Sequence, residues 1–123
     1  MTRTVLIVAI GGGVGSALRY LTSVLVNRYF SGQFPLATFL VNVLGCFLIG
    51  LLMGYIAKNQ LEDSTLKWLL VTGFCGGYTT FSAFGHENIS LMQNGQSLTA
   101  FAYIAASILL GLAAVWMGLL VTK

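Results

Sequence analysis

The residues of this chain best suited to chemistry lie together in the stretch TGFCGGYTTFSAF, from Thr72 to Phe84. It holds three glycines (Gly73, Gly76, Gly77), five hydroxyls (Thr72, Tyr78, Thr79, Thr80, Ser82) and three phenylalanines (Phe74, Phe81, Phe84). Glycine and β-branched threonine are poor helix formers, and their clustering predicts an interrupted helix. The stretch sits inside a long apolar segment. In lipid, irregular backbone persists only where protein buries it or a wet cavity receives it. Carbonyls freed by such a break can coordinate a cation, as in discontinuous transporter helices. The chemistry expected is therefore ion handling by backbone and hydroxyl dipoles, with this stretch as the functional centre.

Composition dictates the elements that must position it. The chain has 123 residues, of which 57% are hydrophobic and 7% charged. A soluble domain carries roughly a quarter charged residues, so this chain reads as an integral membrane protein. A spanning helix needs about 20 mostly apolar residues, which leaves room for four in a single domain. The expected fold class is all-α, with spans at about 5–26, 34–57, 66–92 and 98–121, the third broken at its centre. A scattered net charge of +3 argues against nucleic acid as a partner. Cys46 and Cys75 both fall in apolar spans and read as buried free thiols. The first apolar run is too long for a cleavable signal peptide and is followed by further spans.

Other polar residues inside the spans are candidates for function. Gly11 and Gly15 give the first span a small-xxx-small face for close helix approach. No Lys-Ser/Thr pair follows these glycines, which excludes a phosphate-cradling loop. Arg19 either faces the bundle interior or a vestibule, or snorkels to the interface. Thr38 and Asn42 are four apart and share a helix face; Asn42 serves either as a donor in a wet cavity or as interhelical glue. His86 reads as interfacial or packing, with a proton relay or a metal ligand as the alternatives. Glu87 lies toward the same side of the membrane as Arg19, where the two would form a salt bridge within or between subunits. Tyr103, Ser107 and Gly111 make one stripe at i, i+4 spacing. Phe81 and Phe84, three apart, share a face and either pack or offer ring edges, the positive part of their quadrupole, to an anion.

Charge bias and spare polarity bear on assembly. Arg3, Lys58, Lys67 and Lys123 fall on the side of the termini and Arg28 on the other, a bias toward cytoplasmic termini. Four helices with polar groups on several faces make no useful pore alone, so a two-fold dimer is expected. Carbonyls meeting on that axis would suit a small hard cation such as sodium.

Taken together these residues resemble the CrcB or Fluc family of fluoride channels. The resemblance covers the whole length: four spans, a glycine-rich first span with Arg19, Asn42 in the second, and GGYTTFSAF in the third. It implies an antiparallel, dual-topology homodimer in the bacterial cytoplasmic membrane, exporting fluoride passively through two pathways and relieving fluoride toxicity. It implies no enzymatic activity. It also implies a structural sodium ion at the dimer centre, held by backbone carbonyls of Gly76 and Thr79. The family's pore asparagine matches Asn42, and its pore phenylalanines match Phe81 and Phe84. Its polar track matches Thr38, Tyr103 and Ser107, with Ser82 a further hydroxyl, and its arginine and glutamate match Arg19 and Glu87. Tyr78 stands where an aliphatic residue is common, and Gly111 where a further serine occurs. Two alternatives belong to other classes. A proton-coupled four-span multidrug exporter relies on a carboxylate in its first span, and none is present here. A non-transporting assembly subunit would give no flux at all.

Overall fold

The computed structural model describes residues 1–123. Helix α1 spans Thr2–Tyr29 and α2 spans Leu36–Lys58. A π-helical segment, Lys67–Cys75, runs directly into the short α3, Gly76–Tyr78. Helices α4, Ser82–Gln93, and α5, Ser97–Val121, complete the chain. Three of these, α1, α2 and α5, are long and apolar enough to cross a membrane. The pieces between them are 9, 3 and 12 residues long, each short of a span by itself. The chain is an all-helical, multi-pass membrane protein.

Local sequence explains the helix ends. Pro35 stands at the N-terminus of α2, where its missing N–H costs nothing, and its carbonyl accepts the Phe39 amide at 3.1 Å. After α4 the chain turns back through Gly95 at φ 76°, which only glycine adopts freely. The Gly95 and Gln96 amides then reach back to the carbonyls of Met92 and Leu91, closing a Schellman motif. After α2 the same motif forms around Gln60 at φ 56°, with amides of Gln60 and Leu61 on Ala57 and Ile56. A side chain in that left-handed position costs about 1–2 kcal/mol.

Packing divides into two pairs: α2 lies along α5, and α1 lies along the π-helical segment and α3. Both seams rest on bare glycine. A Cβ on Gly77 would stand 2.8 Å from Gly12 Cα, and one on Gly118 would stand 2.5 Å from the Phe47 carbonyl oxygen. With lipid on every side there is little hydrophobic drive between helices, so such close van der Waals contact is what joins them. Only 16 of 123 residues are buried. The exterior is correspondingly apolar, with Leu109, Leu112 and Trp116 of α5 all exposed. A bilayer, rather than water, must cover it. The small interior is aromatic. Tyr103 is fully buried beside Leu91 and Ala100, with the rings of Phe34 and Phe84 set edge-on at 5.3 and 4.9 Å.

Candidate functional site

The chain leaves helical geometry just after its glycine pair. Helix α3 ends at Tyr78, Thr79 is extended at φ −84° and ψ 157°, and α4 starts at Ser82. Two devices hold the gap open. The Asn42 side chain grips Thr80 at both ends of its peptide groups: Nδ2 donates to the Thr80 carbonyl at 3.1 Å and Oδ1 accepts the Thr80 amide at 2.9 Å. The Thr80 hydroxyl in turn accepts the Ala83 amide at 3.3 Å and so caps the start of α4. On the other side, the Cys75 carbonyl receives both the amide and the hydroxyl of Thr79, at 3.0 and 2.9 Å.

These bonds divert two amides from the carbonyls that a continuing helix would pair them with. A continuing helix would give the Thr80 amide to Gly76 and the Ala83 amide to Thr79; the first goes to Asn42 and the second to Thr80 Oγ1. Gly76 and Thr79 both line an open cleft of about 370 Å³ that also includes Asn42, Thr72, Thr80 and Phe81. The Gly77 carbonyl between them is occupied, by Arg19 Nε at 3.1 Å and Ser16 Oγ at 3.4 Å.

A second polar group lies farther along α4. Glu87 receives Thr38 Oγ1 on one carboxylate oxygen at 2.6 Å and Tyr103 OH on the other at 2.8 Å. Such charge-assisted bonds are short and roughly twice as strong as neutral ones. Glu87 and His86 also border a smaller cleft of about 200 Å³ with Gln33, Ser90 and Asn94. Phe81 is 82% exposed, while Phe84 packs on Tyr103. Their ring centroids are 5.7 Å apart. Ser82 is exposed at 3.4 Å from the Thr80 hydroxyl, and Ser107 Oγ is shielded without a hydrogen-bond partner.

The structure therefore brings Asn42, Gly76, Thr79 and Phe81 to one cleft, and Thr38, Glu87 and Tyr103 into one hydrogen-bonded group. Within the chain Arg19 and Glu87 have separate partners: Arg19 Nε donates to the Gly77 carbonyl, and the Glu87 carboxylate accepts the hydroxyls of Thr38 and Tyr103. A carbonyl freed near the break is the nearer partner for the guanidinium. Thr80, which the sequence offers only as one hydroxyl of the central stretch, is the partner of Asn42. Its signal was present in Asn42, which needs partners for both its donor and its acceptor.

Fold and site define a multi-pass helical membrane protein whose polar groups converge on an irregular segment among apolar helices. The family described as "CrcB-like protein, Camphor Resistance (CrcB)" matches residues 6–119, and the chain belongs to it. It is 53% identical to the fluoride-specific ion channel FluC of Flavobacterium psychrophilum over 121 residues, 98% of each chain. It is 46% identical to the protein of the same name from Azobacteroides pseudotrichonymphae over 123 residues, 100% of this chain and 98% of the relative. The Methylobacillus flagellatus protein of that name is 46% identical over 120 residues, 97% of this chain and 94% of the relative.

Proposed function

We propose that this chain is a fluoride-selective passive ion channel that lets fluoride leave the cytoplasm. Its family membership gives the class, and the observation that carries the reading in the structure is the Asn42 grip on Thr80. That grip holds a stretch of unwound backbone beside an open cleft, with Phe81 at its edge. The π-helical segment, α3 and α4 together are then one broken span in the cytoplasmic membrane.

Fluoride is small and tightly hydrated, so a pathway must replace its water with donors. Asn42 has a second Nδ2 hydrogen beyond the one given to Thr80. Ser107 carries a hydroxyl with no partner, and Ser82 one that is exposed. Ring edges of Phe81 and Phe84 present weak positive potential. Weak ligands at several points suit passage better than one tight site. Thr38 and Tyr103 both donate to Glu87, so they serve an anion only when the carboxylate releases them.

The working unit in this reading is an antiparallel, dual-topology homodimer with two pathways. The open cleft at the break leaves the Gly76 and Thr79 carbonyls to be met by a partner copy. Uncharged oxygens without amide partners fit a monovalent hard cation, so these two carbonyls are the residues that would hold sodium. Bound there, sodium supplies positive potential near the anion path and satisfies carbonyls that lost their helical partners. Arg19 contributes fixed positive charge on the α1 side, through Gly77.

Purified protein in liposomes tests the reading. Passive fluoride efflux down its gradient, with chloride retained, is expected. Proton-driven cation uptake would point to an exporter, and no flux of any kind would point to an assembly subunit.

A further inference from the structure

The geometry points to Tyr78 as a positioning residue for the cation site, acting through a hydroxyl tether to Thr22 of α1. This inference rests on the proposed cation site at Gly76 and Thr79. Tyr78 is the last residue of α3, immediately before the extended Thr79. Its hydroxyl lies 3.0 Å from Thr22 Oγ1. Thr22 has one hydroxyl proton, which goes to the Leu18 carbonyl at 2.9 Å. Tyr78 is therefore the donor, and the chain of bonds has one direction, from the break into the backbone of α1.

The ring is fixed as well as its tip. It stacks on Phe74, one turn earlier, at 5.8 Å between centroids and 8° between planes. Its other edge approaches α2, where a Cβ on Gly45 would lie 3.7 Å from Tyr78 Cδ2. Tyr78 is thus held by α1 at its hydroxyl, by the π-helical segment at its face and by α2 at its edge. Next to it, Arg19 and Ser16 of the same α1 hold the Gly77 carbonyl. After Tyr78, Thr79 is held by its amide and hydroxyl on the Cys75 carbonyl, and Thr80 is gripped by Asn42. The direction of the Thr79 carbonyl is set among these anchors, one of them the tyrosine.

A tether of this kind acts on sodium affinity as well as on packing, which separates it from a structural role. The detergent-purified full chain is melted in a series of sodium chloride concentrations, with N-methylglucamine holding ionic strength constant. The wild type is expected to gain stability with sodium along a saturable curve. Tyr78→Phe keeps the ring and its stacking and loses only the hydroxyl. Its sodium midpoint is expected to rise about three- to tenfold, the effect of losing one net hydrogen bond. Thr22→Val, nearly the same shape as threonine, should give the same shift, and the double variant no more than either single. A Tyr78→Phe protein that melts lower at every sodium concentration with an unchanged midpoint would overturn the inference. The same result in Thr22→Val would do so if Tyr78→Phe does not fold. A wild type with no sodium dependence would sink the cation site itself, and this inference with it.

Discussion

The substitution Asn42→Asp separates a pore asparagine from interhelical glue. Asparagine at this position donates to the Thr80 carbonyl at 3.1 Å and accepts the Thr80 amide at 2.9 Å. Aspartate of the same size keeps the acceptor and removes both amide hydrogens. The Thr80 carbonyl then faces an oxygen in place of a donor, which costs about 1–3 kcal/mol of stability. The effect on transport is larger. A fluoride ion passing about 4 Å from a fixed carboxylate meets a repulsion of roughly 4 kcal/mol at an effective dielectric constant of about 20. At about 1.36 kcal/mol per decade that is about a thousandfold in rate. Water in the open cleft weakens the field, so a fall of at least about a hundredfold is the expected floor. The assay is fluoride efflux from liposomes followed with a fluoride electrode. Rates are taken per folded protein, with matched elution volume and helical circular dichroism. Efflux at the wild-type rate from well-folded Asn42→Asp would show that the amide never meets the ion.

Other outcomes follow from the same geometry. Phe81→Ile keeps a bulky apolar side chain at the edge of the cleft and should leave the protein folded, yet slow fluoride efflux at least tenfold, by order of magnitude; unchanged efflux would remove the ring from the path. Gly77→Ala places a Cβ 2.8 Å from Gly12 Cα and should lower stability by about 1–3 kcal/mol in detergent melts, whereas Gly13→Ala, with open space around it, should not. Gln60→Gly relieves the left-handed residue after α2 and should raise stability by about 1 kcal/mol without altering flux.

Much of the fold was legible because lipid imposes simple rules. Long apolar runs, with charge confined to their ends apart from Arg19, mark α1, α2 and α5 directly. The departure from helix at Thr79 follows from Gly76, Gly77, Thr79 and Thr80 standing together. The π-helical winding of Lys67–Cys75 was not legible. Bonding i to i+5 instead of i to i+4 has no compositional signature; Thr72 and Gly73 point to an interruption nearby but not to its winding. In the site, the polar residues could be named but not paired. Asn42 and Thr80 are 38 residues apart, and Thr38 and Glu87 are 49 apart. Sequence states that each buried polar group needs a partner, and only the three-dimensional arrangement decides which. Arg19 and Glu87 show the limit. Opposite charge and span parity allow an ion pair within or between subunits, while inside one chain Arg19 meets a carbonyl and Glu87 meets two hydroxyls.

The most direct test of the central claim is the reversal potential of the purified protein in a planar bilayer with opposed fluoride and chloride gradients. The current should reverse at the fluoride equilibrium potential and stay there when the chloride gradient is changed. A reversal potential that follows chloride, or a bilayer that carries no fluoride current with folded protein present, would contradict a fluoride-selective pathway through the segment gripped by Asn42.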